Sequence, residues 1–529
     1  MDAVQLFALV LAASVVAGAA RRLALPPAIV LVVAGVAASF VPGVPSFALD
    51  PEVVLLLFLP PLLYAAALDS SYVGFRSNLR PIGLLSIGLV LFTTLVVGWV
   101  AYALIPGLPL AAAFTLGAIV APPDAVATTA IARRVGLPRR IVTILGGESL
   151  VNDATALTAY RVAVVAAVSG SFSLLEGVGQ FLFAALGGLA IGLVVAPLLH
   201  RLRLRLRDPL LENTLELLTP FAVYFAAERI HASGVLSVVV VGLYLGHRAP
   251  EGTYATRLLA HSIWKIVSFL LESVVFALIG LQLRAILGAL SYSVWEAVWY
   301  ALVILTTVIV ARFVWVPPAT YLPRWLFRRI RERDPYPPWQ YPVVVSWAGM
   351  RGVVSLAAAF AIPLHTSSGQ PFPGRELILF LTFSVIFGTL VLQGLTLPVV
   401  IRWLDLRTQE SYTDNLAEAA AQHQAVRASL ERLELLMSQE EVAPPDGVVD
   451  GLRQLAERRA LGAWERLGSG PGPGAKETPA AAFRRLRREM LATEREVFVR
   501  LRDERQIDDE VLRRVLRELD LEEAMIARD

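Results

Sequence analysis

The sequence predicts an all-α membrane protein of about thirteen transmembrane helices, followed by a small helical cytoplasmic tail. Of its 529 residues, 56% are hydrophobic and 17% charged, and the mean hydropathy is +0.62. Apolar runs of about 18–25 residues, long enough for a helix to cross a bilayer, recur through residues 1–405. Helices satisfy their own backbone hydrogen bonds in lipid, so such runs predict helices. This composition excludes a soluble enzyme, and the absence of cysteine excludes a disulfide framework.

The distribution of arginine predicts how the chain is oriented. Basic residues occupy every second loop, from Arg21 and Arg22 to the five arginines between Arg324 and Arg333. The positive-inside rule then places the N-terminus outside and the tail in the cytoplasm. Their position in short loops also disfavours nucleic-acid binding. The approximate spans are residues 3–20, 26–42, 51–68, 80–105, 109–133, 140–167, 177–200, 212–230, 233–247, 259–284, 293–320, 341–363 and 376–404.

Thirteen spans allow two inverted six-helix repeats around one linker span. In transporters built this way, the site lies near the midplane, where interrupted helices cross. Span five contains Ala121-Pro122-Pro123-Asp124 and span twelve contains Ala348-Gly349-Met350-Arg351-Gly352. Proline removes a backbone donor and glycine weakens a helix. Because each break carries a charge, we interpret them as parts of a site rather than as simple kinks.

The run Gly147-Glu148-Ser149-Leu150-Val151-Asn152-Asp153 places two carboxylates, a hydroxyl and an amide inside span six. An ionisable group in hydrocarbon is costly and by default indicates an ion or proton path. Ser149 and Asp153 are four residues apart and share one helix face. Together with Asp124 they predict a cation site whose oxygen ligands suit alkali ions and protons rather than transition metals.

The other buried charges favour structural roles. Glu148 needs a partner at its depth, and Arg312 has the matching depth and the opposite charge, which predicts a structural ion pair. Arg351 is predicted to offset the negative field and the helix-end dipoles, and for it the structural and functional alternatives stay open. Glu272 is also deep, and a helix–helix or dimer-side role is favoured over transport. Packing alone is the alternative for Asp153 and Asp124.

Four motifs resemble those of the sodium/proton exchangers of the monovalent cation:proton antiporter family, in its electroneutral branch. They are Gly147–Asp153, Val310-Ala311-Arg312-Phe313, Gly349-Met350-Arg351-Gly352-Val353-Val354 and Gln393-Gly394-Leu395-Thr396-Leu397-Pro398.

The resemblance, which covers residues 1–405, implies roles for particular residues and parts. Asp153 would be the alternating carrier, supported by Asn152 and Ser149, with Asp124 completing the Na⁺ site and Glu148–Arg312 as the structural pair. It also implies homodimers and an elevator motion. The moving core would comprise residues 80–167 and 293–404, against a dimerisation scaffold of residues 1–68 and 177–284.

Two departures from the family pattern stand out. Many relatives have Asp-Pro in span five, whereas this chain has Pro123-Asp124-Ala125. Many archaeal relatives also carry an acid in span three, at the place of Ala65. We therefore expect no help to the ion from that side of the site.

The predicted function is exchange of intracellular Na⁺ for external H⁺ in the cell membrane, serving pH homeostasis. A proton and a cation would compete for Asp153. Asn152 stands where electrogenic relatives carry a second Asp, which favours a 1:1 electroneutral exchange. A K⁺/H⁺ exchanger and, more remotely, a cation channel are the alternatives. No cofactor is expected beyond the transported Na⁺, Li⁺ or K⁺ and H⁺, and lipid and a second copy of the chain are the expected partners.

Residues 406–529 form the predicted tail. Residues 417–440 and 483–505 have helical periodicity with mixed charge, and the run from Gly468 to Gly474 is typical of a flexible linker. A small helical domain and a solvated tail of fraying helices are both compatible with this pattern.

Overall fold

The computed structural model describes residues 3–23, 25–42, 44, 56–124, 128, 136–170, 174–206, 208–406, 410–439, 445, 447–468 and 479–527. The chain separates into two compact units, residues 1–407 and residues 408–529. Within the described ranges the secondary structure is helical, apart from an isolated bridge between His365 and Pro371. The prediction of an all-α protein is confirmed.

The first unit is a bundle of long helices joined by short connections. Its principal helices are α1 (Ala3–Arg22), α2 (Pro27–Ser39), α3 (Leu59–Leu68), α4 (Tyr72–Ser77), α5 (Leu79–Leu104), α6 (Leu110–Val120), α7 (Arg139–Ser169), α8 (Leu174–Leu206), α9 (Pro209–Glu228), α10 (Gly234–Arg248), α11 (Tyr254–Leu281), α12 (Leu283–Ala289), α13 (Val294–Leu326), α14 (Arg328–Arg333), α15 (Gln340–Trp347), α16 (Val353–Phe360) and α17 (Arg375–Trp403). Helix α5 contains a π-helical stretch at Leu84–Leu89.

Six helices of the described residues are long and apolar enough to cross a membrane: Val4–Arg22, Leu79–Leu104, Leu175–Leu206, Tyr254–Ala289, Val294–Leu326 and Arg375–Trp403. Three shorter apolar helices, α2, α3 and α6, coincide with further predicted spans. Helix α7 has 31 residues, about 46 Å at 1.5 Å per residue, and it carries the predicted site motif. The count of thirteen spans and the inverted repeats stay predictions.

Both predicted helix breaks contain non-helical backbone. Helix α6 ends at Val120, and residues 121–124 are not helical. Residues 125–127 and 129–135 of predicted span five lie outside the described residues. Helix α15 ends at Trp347 and α16 begins at Val353, so the interruption predicted in span twelve is present. The breaks contact each other, because the Asp124 backbone N–H donates to the carbonyl oxygen of Met350 at 2.7 Å.

Glycines allow several helices to approach at backbone distance. A Cβ atom at Gly35 of α2 would lie 2.5 Å from the carbonyl oxygen of Ala277 in α11. A Cβ atom at Gly280 of α11 would lie 2.3 Å from the carbonyl oxygen of Val32 in α2. Small residues at helix crossings are typical of membrane bundles, where close packing takes the place of a hydrophobic driving force. The contact between α2 and α11 therefore depends on these two glycines.

One carboxylate joins three helices at the arginine-bearing end of the bundle. Asp334, in the connection that follows α14, pairs with Arg80 of α5 at 2.5 Å, Arg140 of α7 at 2.7 Å and Arg324 of α13 at 2.6 Å. Arg140 also donates through Nε to the side-chain oxygen of Asn78 at 3.2 Å. These contacts fix the ends of α5, α7 and α13 relative to one another.

Among its described residues, the second unit contains four helices: α18 (Glu410–Gln439), α19 (Val448–Gly468), α20 (Pro479–Asp503) and α21 (Asp509–Ala527). Helices α18 and α20 fall on the two predicted segments, whereas α19 and α21 were not predicted. Helices α20 and α21 are joined by Arg487–Glu522 at 2.7 Å and Arg495–Asp520 at 2.8 Å. Residues 469–474 of the predicted linker lie outside the described residues.

Candidate ion-binding site

The site is assembled where α7 passes the two helix breaks. The Asn152 amide nitrogen donates to the carbonyl oxygen of Pro123 at 2.7 Å, which attaches α7 to the first break. The Thr128 hydroxyl donates to the carbonyl oxygens of Asp124 at 3.1 Å and Ala348 at 3.4 Å. Backbone carbonyls freed by the breaks thus acquire side-chain donors, which satisfies polar groups that would be costly to leave unpaired.

Gly352 lets the second break approach the Asp124 side chain. A Cβ atom built on Gly352 would lie 1.8 Å from Oδ2 of Asp124 and 2.5 Å from its Cγ. Real Cβ atoms do not approach other atoms this closely. The position of the Asp124 carboxylate therefore requires glycine at residue 352.

Arg351 occupies the centre of the crossing with 1% of its surface exposed. Its guanidinium donates to the carbonyl oxygens of Val120 at 3.0 Å and Ala121 at 3.4 Å, and to that of Gly349. Its backbone N–H donates to the Thr389 hydroxyl at 3.0 Å. The carbonyls of Val120 and Ala121 lie at the C-terminal end of α6, where the helix dipole is negative. The contacts are those expected of a charge that offsets helix-end dipoles.

Glu148 and Arg312 form a bidentate ion pair, and each side chain is 1% exposed. The two guanidinium nitrogens lie 2.5 and 2.7 Å from the carboxylate oxygens, and Nε donates to the carbonyl oxygen of Val345 at 2.9 Å. Arg312 thereby connects α7, α13 and α15. A Cβ atom at Gly349 would lie 2.7 Å from Cδ of Arg312, so this glycine makes room for the arginine.

Asp153, Asp124 and Ser149 line a common cavity of about 930 Å³. Asp153 is 6% exposed. Glu148 and Asn152, on the other face of α7, are buried and are not part of the cavity wall. Ser149 and Asp153 thus lie on the same face of α7, as their spacing predicts. Together, Asp153, Asp124 and Ser149 present two carboxylates and a hydroxyl to the cavity, an oxygen donor set that suits hard monovalent cations.

The cavity extends from Asp153 to the end of the bundle that carries Arg139. The opposite wall is formed by α3 and α11. Ala65 lies on it, so the position where many archaeal relatives carry an acid does face the cavity. Asp69, the C-cap of α3, also lines the cavity.

Four residues of this region were not singled out as site residues from the sequence. Glu272 and Ser355 line the cavity, and Thr128 and Thr389 bond to the two breaks. Thr128 follows Asp124 by four residues in the sequence, and that spacing is a usable signal. Thr389 and Ser355 gave none, because isolated hydroxyls are common in membrane helices and their contacts depend on tertiary packing.

Comparison with known proteins places the chain in a family. The family described as "Sodium/hydrogen exchanger, transmembrane" matches residues 9–403. The chain belongs to this family. The resemblance to the monovalent cation:proton antiporter family is therefore confirmed, and the family is one of membrane transporters rather than enzymes.

Two relatives and one solved structure illustrate the similarity to other family members. An uncharacterized Na⁺/H⁺ exchanger of Mycobacterium tuberculosis (strain ATCC 25618 / H37Rv) is 37% identical, over 98% of this chain and 95% of the relative. The sodium, potassium, lithium and rubidium/H⁺ antiporter of Bacillus subtilis is 36% identical, over 71% of this chain and 58% of the relative. The sodium proton antiporter MjNhaP1 of Methanocaldococcus jannaschii has a TM-score of 0.61 at 17% identity, covering 75% of this chain and 97% of that one, and shows the fold alone.

Proposed function

We propose that this sodium/hydrogen exchanger moves Na⁺ out of the cell in exchange for entering H⁺, with Asp153 as the carrier. One observation carries the proposal: Asp153, Asp124 and Ser149 line one cavity, while the nearby Glu148 is already paired with Arg312. Asp153 is thus a buried carboxylate that faces the cavity and can accept a proton or a cation.

Competition for Asp153 couples the two ions. A bare carboxylate is strongly disfavoured in a low-dielectric environment, whereas a protonated or cation-bound one is close to neutral. Either bound form can therefore cross the membrane, and the empty form crosses poorly. Asp124 and Ser149 supply further oxygen ligands when the occupant is Na⁺, and Asn152 supports the site through its bond to Pro123.

A neutral amide at residue 152 supports a 1:1 stoichiometry. Asn152 is fully buried, and its amide nitrogen is engaged by the Pro123 carbonyl. It cannot bind or release a proton in the physiological range, so Asp153 is the single titrating group of the motif's Asn-Asp pair. One proton replaces one Na⁺, and the exchange is electroneutral.

The proposed movement is of the elevator type, within a homodimer in the cell membrane. Its support is the packing: α5, α6, α7, α13 and α17 pack mainly on one another, as do α1, α2 and α11, and α3, α8, α9 and α10. The first set holds the ion-binding residues and corresponds to the proposed core of residues 80–167 and 293–404. The other two sets together correspond to the scaffold of residues 1–68 and 177–284. The N-terminus would be outside and residues 406–529 cytoplasmic, and the exchange would serve pH homeostasis.

K⁺/H⁺ exchange is the second candidate. The Bacillus subtilis relative is described as an antiporter of sodium, potassium, lithium and rubidium, and the oxygen ligands of this site do not by themselves fix the ion's size. A cation channel would require a continuous pore and would not show obligatory, saturable countertransport.

Exchange in proteoliposomes loaded with a pH-sensitive dye tests the function. Adding Na⁺, Li⁺ or K⁺ to vesicles with an acidic interior should release protons with saturable kinetics, and choline should not. Asp153→Asn should reduce exchange to the level of empty vesicles while the protein still inserts. Robust Na⁺-driven proton flux in Asp153→Asn would reject the carrier assignment, and cation flux without proton movement would favour the channel.

A further inference from the structure

Helix α11 presents a polar stripe to the cavity, on the wall opposite Asp153. His261, Lys265, Ser268 and Glu272 all line the cavity. Their spacing of four, three and four residues places them on one helix face. His261 and Glu272 are separated by about 16 Å along the helix axis. The stripe thus follows the cavity, with Glu272 at one end and two basic side chains towards the other.

Glu272 is mostly buried, yet it makes no hydrogen bond or salt bridge with any residue that the structure describes. Its charge is close enough to interact with those of Asp124 and Arg21. The Arg21 guanidinium lies over the ring of Phe269, 4.3 Å from its centroid, and so stacks on a neighbour of Glu272. Because no bond from the described residues engages it, the Glu272 carboxylate has its oxygens available to an occupant of the cavity.

Ser355 provides a second, independent indication of a ligand. It lies in α16, just beyond the break that contains Arg351, and lines the same cavity. The residue is 2% exposed, and its hydroxyl oxygen has no hydrogen-bond partner among the described residues. Buried hydroxyls normally have a partner. A water molecule of a hydrated ion would supply one.

We propose that Glu272 is a second cation-binding carboxylate, which holds a hydrated alkali cation in the cavity before the ion reaches Asp153. The inference rests on the proposed exchange function. The cavity of about 930 Å³ has room for a cation with its water shell. Negative charge on the wall of a low-dielectric cleft concentrates cations inside it. The carboxylate lies on α11, so it supplies charge from the wall that carries Ala65.

Lys265 gives the proposal an opposite-sign test. It lies two helical turns from Glu272 on the same face and also lines the cavity. Its ammonium group repels an entering cation, whereas Glu272 attracts one. Neutralising the two residues should therefore change the apparent cation affinity in opposite directions.

The experiment measures exchange in proteoliposomes as a function of Na⁺ concentration. Glu272→Gln should raise the KM for Na⁺ about tenfold and leave the maximal rate within about twofold, whereas Lys265→Gln should lower the KM. Glu272→Asp should restore most of the affinity. Glu296→Gln, the same chemical change at an exposed residue outside the cavity wall, is the matched control.

The outcomes separate the two proposals. Activity of Asp153→Asn would overturn the proposed function itself. Inactive Asp153→Asn together with an unchanged KM in both Glu272→Gln and Lys265→Gln would overturn only the role of Glu272. A loss of maximal rate in Glu272→Gln with an unchanged KM, and with a fall in thermal stability, would assign it to helix packing. If that variant is too unstable to assay, a lower KM in Lys265→Gln supports the charged wall and an unchanged KM rejects it.

Discussion

The absence of a side chain at Gly352 determines where the Asp124 carboxylate can lie. Gly352 follows Arg351 in the second break. It lies so close to the Asp124 side chain that a Cβ atom at residue 352 would collide with the carboxylate. Its backbone is extended, at φ −136° and ψ −150°, so the requirement is one of space rather than of backbone conformation. The fit between the two breaks therefore depends on a missing methyl group.

Gly352→Ala should displace the Asp124 carboxylate and impair exchange. Overpacking a well-packed region costs about 1–3 kcal/mol, and the lost ligand geometry should reduce the maximal rate or the Na⁺ affinity at least about tenfold. Gly83→Ala is the control, because a Cβ there meets nothing within 4 Å. If Gly352→Ala has the same kinetics as the wild type, the Asp124 carboxylate can accommodate a methyl group at residue 352, and the requirement for glycine is contradicted.

The sequence predicted which polar residues lie together better than it predicted their contacts. Asp153, Ser149 and Asp124 share a cavity, as their spacing and the helix break suggested. The spacing could not reveal that the Asp124 amide bonds to Met350, since such a contact joins distant parts of the chain. Glu272 was assigned a packing role, because depth alone does not tell which neighbours surround a helix face.

At the scale of helices, the Glu148–Arg312 pair holds α7, α13 and α15 together beside the cavity. Two fully buried charges are costly to separate, since removing one leaves the other unpaired in a low-dielectric region. The bidentate geometry and the extra bond to Val345 satisfy most donors of the guanidinium. The pair therefore contributes to helix position more than to ion binding.

Glu148→Gln should destabilise the protein by about 3–5 kcal/mol, because it leaves the Arg312 charge uncompensated. Thermal unfolding in detergent will measure the effect as a lowered Tm. Glu332→Gln provides a matched control, since its partner Arg328 is 82% exposed and such surface pairs contribute about 0–1 kcal/mol. Equal Tm shifts in the two variants would contradict a structural role for the buried pair.

Helices themselves were predictable where hydrophobic periodicity was strong. In the tail, α19 and α21 escaped prediction, although Leu512, Leu516 and Leu519 repeat at helical spacing in α21. Dense mixed charge obscured that pattern. In the membrane unit, the short helices α4 and α14 were predicted as parts of loops. Each has six residues, which is too few to show a helical hydrophobic period.

At the scale of the molecule, the cavity and the arginine clusters lie towards the same end. The cavity reaches Arg139, and Asp334 binds Arg80, Arg140 and Arg324 there. The positive-inside rule predicts that this end is cytoplasmic, so the cavity would open to the side from which Na⁺ enters during the proposed export.

Single introduced cysteines can test this orientation, because the chain has none of its own. Glu332→Cys and Ser368→Cys are both exposed sites, in connections predicted to lie inside and outside respectively. In intact cells a membrane-impermeant maleimide should label Ser368→Cys and spare Glu332→Cys until the cells are permeabilised. The reverse pattern would invert the predicted topology and the direction in which the cavity opens.

The meeting of α2 and α11 at Gly35 and Gly280 limits how the molecule can deform. Where main chains touch without intervening side chains, neither helix can turn or slide past the other without collision. Helices α2 and α11 must therefore move as one rigid unit, here called the strut. Glu272 projects from that strut, so its distance to Asp153 would change as the strut and α7 shift relative to each other, and would report directly on that displacement.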